Sequence, residues 1–233
     1  MAKKQNKKVS DEAIGLDVTL NKSEAFIEKH FKTILIALAV IIAVVAGIFI
    51  YRNHRNNVEK EAVVAIAKSQ EAFAANQFEQ ALNGDGATQK GFLKIINDYS
   101  GTQTANLAKY YAGLCYYNLD KTDDAIKMLE GFDPQDDMLV SPAAKGALAD
   151  AYVKKGDKEK AIGLFLEAAK MADKRSEGGV NNSIAPLFMK KAAAIYEDLK
   201  QNEKALELYQ QIKTRTASEL SAEMDKYIER LTK

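Results

Sequence analysis

Histidine and cysteine, the side chains that most readily do chemistry near neutral pH, are almost missing here: two histidines and one cysteine in 233 residues. Cys115 has no second cysteine to pair with, so an internal disulfide is excluded, and no Cys/His spacing fits a metal site. No phosphate-binding glycine loop and no Gly-x-Ser-x-Gly elbow occurs. Asp123-Asp124 and Asp136-Asp137 are adjacent carboxylates, but sequence neighbours diverge on a helix or turn and mark solvated caps. Catalytic, cofactor-binding and metal residues are therefore expected to be none, with no enzyme activity and no small-molecule substrate. Tryptophan is absent and proline occurs three times, while alanine, leucine, lysine and glutamate abound, which favours helices over strands. The expected fold class is all-α. A surplus of one charge is missing too, since 33 Lys and Arg face 32 Asp and Glu; this excludes a nucleic-acid partner and a solvating acidic tail.

What is present begins with one long apolar run. From Thr33 to Tyr51 no residue is charged, and 19 residues at 1.5 Å each span about 29 Å, the hydrocarbon thickness of a bilayer. Lys29, His30 and Lys32 flank one end and Arg52, His54 and Arg55 the other, as interfacial groups do. A cleaved signal peptide is the rival reading, but 32 residues precede the run and the run exceeds an ordinary signal core. Seven lysines (Lys3, Lys4, Lys7, Lys8, Lys22, Lys29, Lys32) before the span against Arg52, Arg55 and Lys60 after it favour the N-terminus inside. Within about 20 residues of the membrane that bias disappears, three charges against three. Inside the span, Ala39, Ala43 and Gly47 recur every four residues, a stripe of small side chains where a second helix could pack, although such stripes arise by chance where alanine is common and a plain anchor is the simpler reading. Before it, Asn21 and Glu24 form a capping box, with Phe26, Ile27 and Phe31 leading into the membrane.

Behind the span the chain repeats itself. Gly113-x-x-Tyr116 is followed by Ala125 and Leu129, Ala149-x-x-Tyr152 by Ala161 and Phe165, and Ala193-x-x-Tyr196 by Ala205 and Tyr209, at identical internal spacing. A small residue three before an aromatic lets the two helices of a hairpin approach, and the aromatic fills the space beneath. Short polar turns, centred on Lys121, Gly156 and Gln201, force the paired helices antiparallel. In this the chain resembles the tetratricopeptide family, most closely from Leu148 to Gly156 and from Ala161 to Ala168. The family's early tryptophan and closing proline are missing, and the interval from Tyr116 to Tyr152 is 36 residues but from Tyr152 to Tyr196 is 44. The extra length centres on residues 175–182, expected as a flexible loop. Upstream, Asn76 to Leu82 and Gly91 to Tyr99 read as degenerate repeat helices around an insertion at 83–86, and Thr216 and Glu219 form a capping box before a terminal amphipathic helix. The expected organisation is a polar cytosolic tail and juxtamembrane helix at 1–32, the membrane helix at 33–51, a helical linker at 52–75 and the repeat domain at 76–233.

Stacked helical hairpins offer a groove for protein segments. Helical offset from the buried Tyr116 places Tyr110, Leu114 and Tyr117 on that face, with Asp150, Val153, Lys190 and Glu197 at equivalent downstream positions. Packing of Tyr110 and Tyr117 against the degenerate first unit is the simpler reading of those two residues. The whole arrangement, with the Asp98-Tyr99-Ser100-Gly101-Thr102 junction leading to Ala105-x-x-Ala108, resembles the bacterial ancillary SecYEG translocon subunit (YfgM-like) family. That resemblance implies a bacterial inner-membrane protein with a cytoplasmic N-terminus and its repeats in the periplasm. Its implied partners are the SecYEG translocon, a membrane-anchored periplasmic chaperone and exported chains. An envelope-assembly or cell-division scaffold and an organellar import receptor are the alternatives.

Overall fold

The computed structural model describes the backbone of residues 2–233 and, with their side chains, residues 29–233. The box at Asn21 and Glu24, with Phe26 and Ile27, lies outside the residues described with side chains. Two compact units divide the chain, Met1–Asn57 and Val58–Lys233. Among the described residues, regular structure is helical apart from one isolated bridge between Gly84 and Lys90.

The first unit, up to Asn57, consists of the helix α1, whose bounds are Ala2–Ala74. Every side chain from Thr33 to Tyr51 is exposed, among them Phe49 and Ile50, a surface that water does not tolerate over such a length. Among the described residues this is the one helix long and apolar enough to cross a membrane.

The second unit is a solenoid of helical hairpins. Its regular members are α4 (Gln103–Asn118) with α5 (Thr122–Glu130), α6 (Val140–Lys155) with α7 (Lys158–Lys174), and α8 (Ala185–Asp198) with α9 (Asn202–Thr214). The repeated small residues do what their spacing predicts. Ala125, Ala149, Ala161, Ala193 and Ala205 are fully buried, and Leu129, Phe165 and Tyr209 fill the adjoining space. A Cβ on Gly113 would come within 2.5 Å of Leu129 Cγ, so the Leu129 side chain occupies the space that a side chain at position 113 would need.

A further hairpin precedes these three. Residues 58–74 of α1 turn back into α2 (Phe78–Asn83) and, after a loop, α3 (Phe92–Asp98). All four hairpin turns share one construction. Each passes through a single left-handed residue, Asn76 (φ 58°), Asp120 (60°), Gly156 (92°) or Lys200 (62°). Each closes with the next N–H, from Gln77, Lys121, Asp157 or Gln201, donating to the carbonyl of Ala72, Tyr116, Tyr152 or Tyr196 at 2.8–2.9 Å. The expected linker at 52–75 therefore carries part of the repeat core: Ala62, Ile66, Ser69 and Ala72 are buried, and the compact unit starts at Val58 rather than at 76. Glu59 fixes this helix to the next hairpin. Its carboxylate accepts the N–H of Gln103 (2.7 Å) and Thr104 (2.9 Å) and the Thr104 hydroxyl (2.6 Å), so an anion of one helix caps the N-terminus of α4.

The insertion in the first hairpin is a built loop. The Asp85 carboxylate accepts the N–H groups of Ala87, Thr88 and Gln89 at 2.8–2.9 Å and the Thr88 hydroxyl at 2.7 Å. These bonds, that of Gln89 foremost, hold its carboxyl well below the usual range. The loop ends cross where Gly84 and Gly91 leave no room for a Cβ, each meeting backbone within 2.6 Å. Two buried clusters follow from the stacking. Ile66, Leu82, Phe92, Ile95 and Cys115 belong to one, and the other runs from Ile126 through Phe165 and Met189 to Met224.

The stretch 175–182, expected as a flexible loop, is a hydrogen-bonded turn. Arg215 grips Asp173 with two bonds of 2.7 and 2.8 Å and also donates to the Asn181 carbonyl at 3.0 Å. The buried Asn181 side-chain oxygen accepts the N–H of Ser183, Ile184 and Ala185 and so opens α8. The terminal amphipathic helix, α10, spans Met224–Thr232; it starts later than the box at Thr216 and Glu219 because single turns at Ser218 and Ser221 intervene.

Candidate partner-binding groove

The first helices of successive hairpins, α4, α6 and α8, followed by α10, form one row joined by ion pairs. Lys154 of α6 pairs with Asp120, donates to the Tyr117 carbonyl at 2.9 Å and lies 4.6 Å from the centre of the Tyr117 ring. Lys191 of α8 reaches back to Asp150 of α6, with bonds of 2.8 and 2.7 Å. Lys190 pairs with Glu223 at 2.7 Å, and Arg230 of α10 donates to both oxygens of Glu197 at 2.8 and 2.6 Å.

These contacts sort the seven residues that sequence offset places on this face. Tyr110 turns into the structure, its ring 5.5 Å from Tyr111 and 6.2 Å from Phe132, and burial raises its phenol. Leu114 and Tyr117 are half-buried. Asp150 is committed to Lys191. Lys190, raised chiefly by its bond to Glu223, is committed to the α10 end of the row. Glu197 also accepts the Tyr209 hydroxyl at 2.6 Å, so both of its oxygens serve internal packing. Val153 alone of the seven is an apolar side chain with substantial free surface, 38% exposed. Ala39, Ala43 and Gly47 are exposed in the other unit, where a Cβ on Gly47 would meet nothing within 4 Å.

Sequence offset missed Leu187. It is 46% exposed and lies three residues before Lys190 on the same face of α8, a position that the spacing of Lys190 and Glu197 already marks. The groove thus presents apolar side chains between charges that neutralise one another. Cys115 is fully buried, and burial pushes its thiol up to about 12, which leaves no thiolate at neutral pH.

Residues 144–177 match the tetratricopeptide repeat family, covering most of α6, all of α7 and the turn between them. Among solved structures, the chain is similar in fold to the kinesin light chain nearly identical TPR-like repeats of Podosopora anserina. There the TM-score is 0.58 at 13% identity, over 74% of this chain and 86% of that one. A single-substitution variant of the same repeats gives a TM-score of 0.58 at 13% identity, over 74% and 85%. No curated protein matches the chain in sequence. The fold is all-helical and tetratricopeptide-like, an architecture that characteristically binds protein segments rather than catalysing reactions.

Proposed function

We propose that this chain is a membrane-anchored scaffold that binds protein partners along the row of α4, α6 and α8. The observation that supports it is the pairing pattern of that face: Asp150, Lys190 and Glu197 are satisfied within the chain, while Val153 and Leu187 are left exposed. Apolar surface bordered by internally neutralised charge favours an uncharged or apolar segment and disfavours a highly charged one.

In the finer reading, which rests on the family resemblance in the sequence, the scaffold is an accessory of the Sec translocon in the bacterial inner membrane. Its N-terminus is cytoplasmic and its repeats periplasmic. It works beside a periplasmic chaperone on newly exported chains, and the Ala39, Ala43, Gly47 stripe packs against a helix of the translocon. Purification of the full chain from membranes in mild detergent, with quantification of co-purifying proteins, tests this. Translocon subunits are expected with both the natural chain and Val153→Asp/Leu187→Asp, whose helical circular dichroism should be unchanged, whereas the chaperone and exported chains are expected at least tenfold less with the variant. Absence of translocon subunits from both preparations would refute the translocon assignment, and equal recovery of the chaperone and exported chains from both would refute the groove. Added protease should digest the repeats in spheroplasts and spare them in inverted vesicles; the reverse pattern refutes the orientation.

A further inference from the structure

Beside the first hairpin, wholly within the unit Val58–Lys233, a cavity of about 630 Å³ is walled by Lys60, Val64, Ala65, Lys68, Lys90 and Tyr99. Lys60, Val64 and Lys68 follow one another at four-residue steps of α1 and therefore form a single stripe, cation, apolar, cation. Val64 is 76% exposed, more than any other large apolar side chain described in the chain. The opposite wall is fixed by the Asp85 loop, from which the Thr88 carbonyl accepts a 3.3 Å bond from Lys68.

The charges of this cavity are unlike those of the groove. Lys90 is satisfied internally, donating at 2.9 Å to both Asp98 and the Tyr99 hydroxyl, with its ammonium 4.5 Å from the Tyr99 ring centre. Lys60 and Lys68 have no carboxylate partner among the described residues, and Glu61 is the one acidic side chain in the wall. The surplus is positive and sits at the two ends of an apolar patch.

Distances then define the occupant. Eight residues of helix separate Lys60 from Lys68, about 12 Å along the axis. In an extended peptide, residues i, i+2 and i+4 point to one side, and i to i+4 spans about 13 Å. We propose that this cavity is a second protein-binding site, which takes an extended segment of the pattern acidic-x-apolar-x-acidic, its carboxylates on Lys60 and Lys68 and its central side chain on Val64 and Ala65. The site is separate from the α4, α6, α8 row and selects a different chemistry.

Fluorescence anisotropy of the full chain in detergent, with a labelled peptide containing Glu-Ser-Leu-Ser-Glu, tests the proposal. The peptide is expected to bind, to weaken as salt is raised, and to bind at least tenfold more weakly to Lys60→Glu/Lys68→Glu; both lysines are exposed, so folding is retained. A Gln-Ser-Leu-Ser-Gln peptide should bind weakly to the natural chain, and Lys-Ser-Leu-Ser-Lys should bind the charge-reversed variant. Val153→Asp/Leu187→Asp should bind the acidic peptide normally, which keeps this test apart from that of the groove. No binding at millimolar peptide, equal binding of the glutamine peptide, or an unchanged affinity in the charge-reversed variant would each overturn it.

Discussion

Replacing Glu59 by alanine removes the carboxylate that caps the N-terminus of α4, and with it three bonds of 2.6–2.9 Å. Loss of an N-terminal cap costs about 0.5–2 kcal/mol, and loss of an anion from the same helix end adds about 0.3–1 kcal/mol. Because the terms overlap and the carboxylate is half-buried, about 2 kcal/mol is the expected destabilisation. For a domain the size of Val58–Lys233 this corresponds to a fall in melting temperature of roughly 4–8 °C. Glu59→Gln keeps one acceptor oxygen and should cost about 1 kcal/mol. Thermal unfolding of the full chain in detergent, followed by circular dichroism, reads the shift. Glu71→Ala is the control, on an exposed residue of the same helix. Amide hydrogen exchange should accelerate at Gln103 and Thr104, the two donors released. A Glu59→Ala chain that melts within about 1 °C of the control, with exchange at both amides unchanged, would refute the docking of residues 58–74 as the opening helix of the solenoid.

Gly113→Val should destabilise the domain by about 2 kcal/mol, because its side chain would occupy the space of Leu129; urea unfolding should find Gly113→Val/Leu129→Ala less destabilised than the sum of the single variants. For Asp173, burial alone would raise the carboxyl, but the Arg215 guanidinium and the Asn181 N–H hold it below its ordinary 3.8. A depressed carboxyl gives stability that is complete above its unfolded value and is lost as pH falls through its folded value. The difference in urea midpoint between the natural chain and Asp173→Asn should thus be constant from about pH 7 to pH 5 and shrink below about pH 4; a difference that persists unchanged to pH 3 would contradict it.

Three hairpins were legible in the sequence because their packing is local. A small residue, an aromatic three later, an alanine nine beyond it and a large side chain four beyond that all belong to one hairpin and need no distant partner. The first hairpin hid for two reasons. Ala72 stands where the others have tyrosine, and α1 passes from the apolar span into the repeat without a glycine, proline or cap to punctuate it at Val58. One signal survived, the nine-residue interval from Ala72 to the fully buried Ala81, which repeats that from Tyr116 to Ala125. The groove was half legible. Helical offset places Asp150, Lys190 and Glu197 on one proposed face, but their partners Lys191, Glu223 and Arg230 lie 33 to 41 residues away, and only the stacking of hairpins brings them together.

That stacking also explains why one solenoid presents two unlike surfaces. Where hairpins are regular, each first helix lies beside the next, and charges on neighbouring helices fall within reach of each other: Lys154 with Asp120, Lys191 with Asp150, Arg230 with Glu197. Regularity neutralises the row and leaves its apolar positions as what a partner meets. In the first hairpin the second helix is broken at Gly84 and resumes at Gly91, and the Asp85 loop stands between. Asp85 spends its carboxylate on its own backbone, so it does not reach Lys68, which is left with a carbonyl instead of a counterion. The lysine-lined cavity is thus a consequence of the insertion. Deleting residues 85–90 with a restored helical register should close it, and should abolish binding of the acidic peptide while leaving the α4, α6, α8 row and its partners unaffected.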